Sequence, residues 1–335
     1  LWILDDIAPL QELPQAQSRG AMLFKPRTAY QYVTHSNDEG LYTRFSGENP
    51  PNGAIVDYYL SAPQKYAPTI EILDAKGHVI RHIRPPARAP RTGTESPSGI
   101  GASFGAGAGP TNYAGINRAT WNFREDGVTQ WTGNPAVARG GGGFGAELGV
   151  LDPPGDYSAR MTLNGRTYTQ SFTVRKDPLS PYTQADFIAA YNFAKKYLGM
   201  SGKINTVLNN LDAQKKSLAA AAAALQKNGN SALLARVTAA QATRDAIFSR
   251  FTANYKNGED SLQWPGALRE DLPRSGFGAA APPTPAVLEY ASRYDKQYAA
   301  AMARYNAFVS GTLAPLSKDV KAAGAGTIAG AAQVH

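Results

Sequence analysis

The pattern of apolar and polar residues changes character near Pro178. Before it, short runs of β-branched and aromatic residues are interrupted by glycine, proline and asparagine, which is typical of antiparallel sheets. After it, alanine, leucine and lysine recur with helical spacing. The sequence therefore predicts an α+β multidomain protein, with an antiparallel immunoglobulin-like β-sandwich followed by an antiparallel three-helix bundle.

Strands in the first part are predicted from β-rich runs bounded by turn residues. The predicted strands are Gly53–Leu60, Pro68–Leu73, His78–Arg84, Asn117–Arg124, Gly155–Leu163 and Arg166–Val174. Two pairs of them are joined by Asp74–Gly77 and Asn164–Gly165, which are residues that tolerate positive φ and predict hairpins. In the second hairpin Tyr157, Ala159 and Met161 alternate with polar residues, which predicts one buried face.

Helices in the second part are predicted from caps and apolar repeats. Thr183 opens a capping box for a first helix that extends to about Lys227 and is expected to bend at Gly199–Gly202. A second helix spans about Ser231–Lys256, and a third is capped by Thr284. The first helix repeats an apolar residue every seven positions, at Ile204, Leu211, Leu218 and Leu225. The tyrosine-rich stripe of the third helix indicates bundle core rather than a ligand platform.

These elements divide the chain into segments. We expect an N-terminal strand with a connecting segment over 1–48, the β-sandwich over 49–178, the helical bundle over 179–325 and a flexible tail over 326–335. Residues 1–10 are predicted to form an edge strand that runs into a turn, with nothing before it to pair with. No initiator methionine or signal-peptide pattern precedes this strand, so we expect the chain to be a processed product or a fragment.

Composition excludes several classes of protein. With 43% hydrophobic and 18% charged residues, the chain can bury real cores and is expected to be globular. The longest apolar run, Ala219–Ala224, is far shorter than the roughly 18 to 20 residues that cross a bilayer. Zero cysteines exclude disulfides and thiolate metal sites. His78 and His82 lie four residues apart on a predicted strand, about 13 Å, which is too far to share one ion. We predict no metal and no cofactor.

Positive charge points to an acidic partner. The net charge is +8, and residues 76–91 contain five basic residues but no acidic one. The basic residues are Lys76, Arg81, Arg84, Arg88 and Arg91. This segment is predicted to meet an acidic protein or an anionic lipid surface, although a solvated basic edge is the alternative. Nucleic acid is not predicted, because no aromatic residue interleaves these charges and no nucleic-acid-binding motif occurs.

Two long glycine-rich loops interrupt the predicted sandwich, over Pro85–Gly115 and Thr132–Gly149. Each carries one phenylalanine among glycines, Phe104 and Phe144. An apolar side chain on such a loop either folds back onto its own domain or anchors in a pocket of a partner. The two phenylalanines and the basic residues are therefore the predicted partner-binding residues.

Several segments together resemble one protein family. They are Leu1–Pro9, Leu23–Pro26, Asn49–Ala54, Ile70–Gly77, Gly115–Trp121 and Pro154–Tyr157. They are similar to the C-terminal region of large exported bacterial proteins with a BNR-repeat, sortilin-like β-propeller, often labelled glycosyl hydrolases. The resemblance implies that residues 1–48 are the remnant of a propeller blade, and that an immunoglobulin-like sandwich and a helical region follow.

The propeller itself is missing, and with it the place where sialidase-like catalytic groups would lie. Ser36–Thr43 echoes one Asp box of such propellers, but Thr43 replaces the tryptophan and a single copy builds no propeller. Adjacent acidic pairs are the residue type that glycosidase chemistry needs, but side chains of sequence neighbours usually point apart. These pairs are Asp5/Asp6, Glu259/Asp260 and Glu270/Asp271. We therefore predict no catalytic residues and no enzyme activity.

The resemblance and the charge pattern together predict a non-catalytic extracytoplasmic interaction module. Such a module would be an accessory structural subunit of a larger assembly, periplasmic or extracellular in a bacterium. Its partner is expected to be protein, with a bioenergetic or other membrane complex as one candidate. The alternative is the C-terminal accessory part of a carbohydrate-active enzyme whose catalytic propeller is absent from this chain.

Overall fold

The computed structural model describes residues 6–32, 53–85, 109–134, 148–252, 267–273 and 281–335. It contains both strands and helices, which confirms the predicted α+β class. The chain divides into two compact units. The first unit comprises Leu1–Asp126 and Leu151–Ile188, and the second comprises Gly127–Val150 and Ala189–His335. Residues 127–150 thus group with the helices.

The strands follow the predicted order, with four short additions. They are β1 (Ala21–Leu23), β2 (Ala29–Gln31), β3 (Ala54–Leu60), β4 (Thr69–Leu73), β5 (Val79–Ile83), β6 (Gly115–Trp121), β7 (Arg124–Asp126), β8 (Leu148–Leu151), β9 (Gly155–Leu163) and β10 (Arg166–Lys176). The six predicted strands correspond to β3 to β6, β9 and β10, with ends shifted by up to three residues. The additions β1, β2, β7 and β8 are only three or four residues long.

The first unit contains a three-stranded sheet in the order β1-β3-β6 and a five-stranded sheet in the order β2-β10-β9-β4-β5. The pairs within both sheets are antiparallel except one. In that exception β2 pairs in parallel with Val174–Lys176, at the end of β10. The predicted antiparallel sandwich is therefore wrong at this edge, where β2 and the end of β10 run in the same direction.

Both sheets contribute side chains to one apolar core. Trp121 of β6 is almost fully buried, and its ring centroid lies 4.8 Å from that of Tyr157 and 6.1 Å from that of Phe172. Its indole N–H donates to the carbonyl of Arg124 at 2.9 Å, so its polar group is satisfied. The alternation predicted for β9 is confirmed, because Tyr157, Ala159 and Met161 are all buried.

The described helices are α1 (Ala8–Gln11), α2 (Leu13–Arg19), α3 (Gln184–Lys227), α4 (Ser231–Phe251), α5 (Pro285–Phe308) and α6 (Ala314–Ala322), with a π-helical turn over Val309–Leu313 between the last two. The predicted N-terminal edge strand is wrong at residues 8–10, because Pro9 lies in the first turn of α1, where proline favours a helix start. The α3 helix is continuous through Gly199–Gly202. Gly202 serves close packing there, because a Cβ at this position would lie 2.9 Å from the Cβ of Val128. The predicted second helix ends at Phe251, five residues earlier than expected.

The predicted helix caps are confirmed. Thr183 and Asp186 bond reciprocally: the Thr183 N–H donates to the Asp186 carboxylate at 2.8 Å, and the Asp186 N–H donates to the Thr183 hydroxyl at 3.3 Å. The hydrogen bonds from Thr183 lower the pKa of the Asp186 carboxyl. The side chains of Asn230 and Thr284 accept from the backbone of α4 and α5 in the same way.

The core of the second unit is built on α3. The four residues of its seven-residue repeat, Ile204, Leu211, Leu218 and Leu225, are fully buried, as predicted. Tyr294 and Tyr305 of α5 are also buried, and their hydroxyls donate to the carbonyls of Leu268 and Ala332 at 2.9 and 2.8 Å. Burial raises the pKa of both phenols. The tyrosine-rich stripe is therefore core, as the sequence indicates.

Two rows of polar side chains flank the apolar stripe of α3 and hold other segments by their backbone. In the first row, Asn205 and Asn209 donate to the carbonyls of residues 129 and 130 at 2.9 and 2.7 Å. Asp212 completes this row by accepting from the Trp131 indole at 2.6 Å. In the second row, Gln214 donates to the carbonyl of Gly330 at 2.8 Å.

The second row and α5 together hold residues 329–334. The Ala329 N–H donates to Ser217 at 3.1 Å, and Asn306 exchanges two hydrogen bonds with the backbone of Val334 at 2.8 and 2.9 Å. Gly330 has a φ of +70°, and a Cβ there would overlap the backbone of Asn210. This segment, which the sequence predicts to be a flexible tail, has a defined path over α3 and α5.

Candidate functional site

An open groove lies between α4 and α5 in the second unit. Its volume is about 370 Å³. It is lined by Arg250, Lys296, Gln297, Ala300, Ala301 and Arg304. We call this feature the cationic groove, because three of the six described residues that line it are basic and none of these six is acidic.

The spacing along α5 explains why these side chains meet. Lys296, Ala300 and Arg304 are four residues apart, so they share one face of the helix. At 1.5 Å rise per residue, the two cations are separated by about 12 Å along the axis. Alanine at 300 and 301 leaves the space between them open. The opposite face of α5 carries the buried tyrosines, which fixes the rotation of the helix and keeps the cations outward.

Arg250 supplies the third charge from α4. It is half-buried, unlike the exposed Lys296 and Arg304. Its guanidinium donates to the side-chain oxygen of Gln297 at 3.2 Å, which holds the Arg250 head group beside α5. A fork of guanidinium N–H groups in this position matches the two oxygens of a carboxylate or phosphate.

Carboxylates near the groove are already paired elsewhere. Asp295 lies 2.5 Å from Lys196, and Glu289 lies 3.7 Å from Arg293. In the part of the chain that the structure describes, no ion pair joins Lys296 or Arg304 to an acidic side chain. Lys296 and Arg304 therefore present positive charge that no described carboxylate compensates, and such charge attracts anions and raises the rate at which they arrive.

The predicted basic segment belongs to the first unit, whereas the groove residues belong to the second. Arg81 of β5 is partly buried in the first unit, donates to the carbonyl of Glu125 at 3.2 Å and lies 3.7 Å from Asp126. Burial lowers the pKa of Arg81, and its charge is used within the fold. Arg84 and Lys76 are exposed on the same unit. The other predicted partner-binding residues, Arg88, Arg91, Phe104 and Phe144, lie outside the described residues.

The histidines form separate contacts with acids. His78 lies 3.2 Å from Asp74, whereas His82 lies 2.5 Å from Asp126 and 3.5 Å from Glu71. Within the described ranges, no cluster of three or more histidine, aspartate or glutamate residues has the geometry of a metal site. Over the same ranges, none of the helices is both long and apolar enough to cross a membrane.

The acidic pairs considered for glycosidase chemistry are described only in part. Asp6 caps the first turn by accepting from the Ala8 N–H at 2.9 Å and lies 3.9 Å from Arg27. Glu270 accepts from Thr252 and Arg269 at 3.0 and 3.1 Å. Both carboxylates thus have structural partners. Asp5 and the Glu259/Asp260 pair lie outside the described part of the chain.

The cationic groove is absent from the sequence-based predictions, although one signal for it exists. The third helix was assigned from its buried stripe, and the Lys296, Ala300, Arg304 repeat lies on the face left over. The contribution of Arg250 depends on the packing of α4 against α5, which no local pattern encodes. Comparisons of this sequence with models of protein families and with curated proteins found no match to either.

Proposed function

We propose that this protein is an interaction module that binds an acidic segment of a protein partner in the cationic groove. One observation carries the proposal: Lys296 and Arg304 lie on one face of α5 beside Arg250, and neither Lys296 nor Arg304 forms an ion pair with an acidic side chain among the described residues. A segment carrying carboxylates about two helical turns apart would match the separation of Lys296 and Arg304.

The groove favours a moderate, salt-sensitive affinity. Exposed ion pairs such as those available to Lys296 and Arg304 contribute only about 0.2 to 1 kcal/mol each. Such contacts weaken as salt rises, because exposed charges are screened. Burying exposed Ala300 adds a small apolar contribution. Charge of this kind mainly sets the association rate and excludes wrong partners.

The wider proposal is a non-catalytic, extracytoplasmic accessory subunit in a bacterial assembly, and the family resemblance of the first 178 residues supports it. We also propose that the first unit is an immunoglobulin-like sandwich and the second an antiparallel bundle. The shared core of the two sheets and the packing of α3, α4 and α5 side chains in one apolar cluster support these assignments. Rigid units of this kind suit a scaffold that presents a preformed groove.

Binding of a defined acidic peptide tests the proposal. The probe is a fluorescent helical peptide with glutamates at positions i, i+4 and i+8, measured by anisotropy with the full chain at low and high salt. We expect binding that weakens as salt rises, and a loss of about tenfold or more for the double variant Lys296→Glu/Arg304→Glu, since each contact becomes repulsive.

The matched control is the double variant Lys215→Glu/Lys216→Glu, which makes the same charge change at two exposed positions on α3. It should bind within about twofold of the unchanged protein, because a charge beyond the Debye length is screened. Equal losses in the control and in Lys296→Glu/Arg304→Glu would show non-specific attraction and contradict the proposal. Absence of binding to the peptide at low salt would contradict it as well.

A further inference from the structure

Two exposed tyrosines lie on neighbouring loops of the first unit. Tyr66 is 72% exposed on the loop over 61–68, between β3 and β4, and Tyr113 is 57% exposed on the segment over 109–114, before β6. Together with the Asn164–Gly165 turn, these form what we call the tyrosine loops. Large exposed aromatic side chains are unusual away from binding surfaces when they are grouped.

Hydrogen bonds tie the tyrosine loops to one another. The Gln64 N–H donates to the carbonyl of Asn112 at 2.9 Å, and the Asn112 amide donates back to the carbonyl of Gln64 at 2.7 Å. The Asn164 amide donates to the side-chain oxygen of Gln64 at 3.1 Å. The three segments therefore form one connected surface.

Buried side chains also fix the loop that carries Tyr113. The hydroxyl of Tyr58, which is fully buried, donates to the carbonyl of Thr111 at 2.5 Å and accepts from its N–H at 2.7 Å. The buried Asn117 accepts from the Tyr113 N–H at 3.2 Å and donates to its carbonyl at 2.8 Å. The backbone of Tyr113 is thus held on both sides while its ring faces water.

Such an arrangement is preorganised for a ligand. A loop that is already ordered loses little entropy on binding, and tyrosine provides a rigid ring with a polar end. Many surface loops have no buried side chain bonded to their backbone, whereas buried Tyr58 and Asn117 both bond this one. Burying the polar groups of Tyr58 and Asn117 costs desolvation free energy, and fixing the backbone at Tyr113 gives that burial a role.

The chemistry of the tyrosine loops fits a hydroxyl-rich ring compound. In the described structure, the side-chain oxygens of Asn112 and Asn164 have no hydrogen-bond partner. The loops contain no acidic residue, and the Lys65 ammonium lies 5.2 Å from the Tyr66 ring centroid. Aromatic faces stack on the C–H face of a pyranose, and amides bond its hydroxyls. We propose that the tyrosine loops bind an oligosaccharide.

This site does not depend on the cationic groove, which belongs to the other unit. Oligosaccharide binding is tested on the full chain by isothermal titration with cellohexaose, chitohexaose and hexagalacturonate as probes. We expect at least one probe to bind, and Tyr66→Ala or Tyr113→Ala to weaken that binding by about fivefold or more, as for aromatic residues central to an interface.

Tyr32→Ala is the matched control, because Tyr32 is 55% exposed and follows β2, which pairs with the end of β10 remote from the Asn164–Gly165 turn. Its affinity should equal that of the unchanged protein. No binding to any probe, or binding that survives both loop substitutions, would overturn the proposal. So would retention of a protein partner by these tyrosines without any affinity for the sugars.

Tyr58→Phe tests the preorganisation separately, because it removes the hydroxyl that holds Thr111 and leaves both exposed tyrosines in place. We expect about two- to tenfold weaker sugar binding, from the cost of ordering the loop on binding. Thermal unfolding must show that this variant is folded at the titration temperature. Unchanged affinity in the folded variant would refute the positioning role of Tyr58.

Discussion

Replacing Gly330 with alanine tests whether the path of residues 329–334 over α3 is specific. Gly330 combines a φ of +70° with backbone contact to Asn210, whereas Gly324 has a φ of +64° and nothing within 4 Å of its would-be Cβ. The Gly324→Ala variant therefore measures the conformational cost alone. That cost is about 1 to 2 kcal/mol for an L-residue in the left-handed region.

Gly330→Ala should be more destabilising than this control. Its Cβ would lie 3.1 Å from the carbonyl carbon and Cα of Asn210, and would overlap the carbonyl oxygen, so the segment must move. Movement breaks the bond from Gln214, which is fully buried, to the carbonyl of Gly330. An unsatisfied buried amide costs about 1 to 3 kcal/mol. We expect a total loss of about 2 to 5 kcal/mol, limited by the free energy with which the segment docks.

Urea denaturation followed by circular dichroism gives the global loss, and hydrogen exchange of residues 326–334 shows whether the segment detaches locally. The expected result is faster exchange there for Gly330→Ala but not for Gly324→Ala, together with the larger loss of stability. If the two variants agree within about 0.5 kcal/mol, the contact between Gly330 and Asn210 contributes nothing and the reasoning fails.

Two further predictions concern the core and the pH dependence. Leu218→Ala should lower the free energy of unfolding, measured by urea denaturation, by about 2 to 5 kcal/mol, because Leu218 is fully buried. The control Leu179→Ala, at a position that is 90% exposed, should change it little. A loss below about 0.5 kcal/mol for Leu218→Ala would contradict the packing of α3. Asp186→Asn should lower the urea midpoint at pH 7, because the lowered pKa of Asp186 means that its charged carboxylate stabilises the folded state. The difference between the two proteins should shrink as the pH falls below 3.8, the ordinary pKa of an aspartate, because the carboxylate then becomes protonated. A midpoint difference independent of pH would contradict the capping role of Asp186.

Local patterns in the sequence predict the elements that are determined locally. The Asn164–Gly165 turn, the Thr183–Asp186 cap and the buried repeat through Leu218 each rest on neighbours within about one or two turns of the chain. The strands β1 and β2 could not be predicted, because three-residue strands form only where distant partners provide hydrogen bonds. Their pairing energy belongs to the tertiary fold.

The two proposed binding surfaces also combine features that local sequence predicts with features that depend on tertiary contacts. The spacing of Lys296 and Arg304 is visible in the sequence, but the half-buried position of Arg250 beside Gln297 depends on helix packing. The proximity of Tyr66 and Tyr113 likewise depends on the hydrogen bonds that join their loops. The run of basic residues predicts that Arg81 and Arg84 meet a partner, whereas in the structure Arg81 donates to the carbonyl of Glu125 within its own unit.

Three amides of α3 recognise peptide groups, because Asn205 and Asn209 bond the carbonyls of residues 129 and 130, and Gln214 bonds that of Gly330. These bonds do not depend on the side chains of the held segments, but Trp131 and Ile328 of the same segments also bury their side chains in the core. The identity of Trp131, Ile328 and Gly330 should therefore matter, whereas the exposed residues 331–333 should accept many side chains. Residues 331–333 are for this reason natural positions for grafting a short foreign peptide epitope without disturbing the fold.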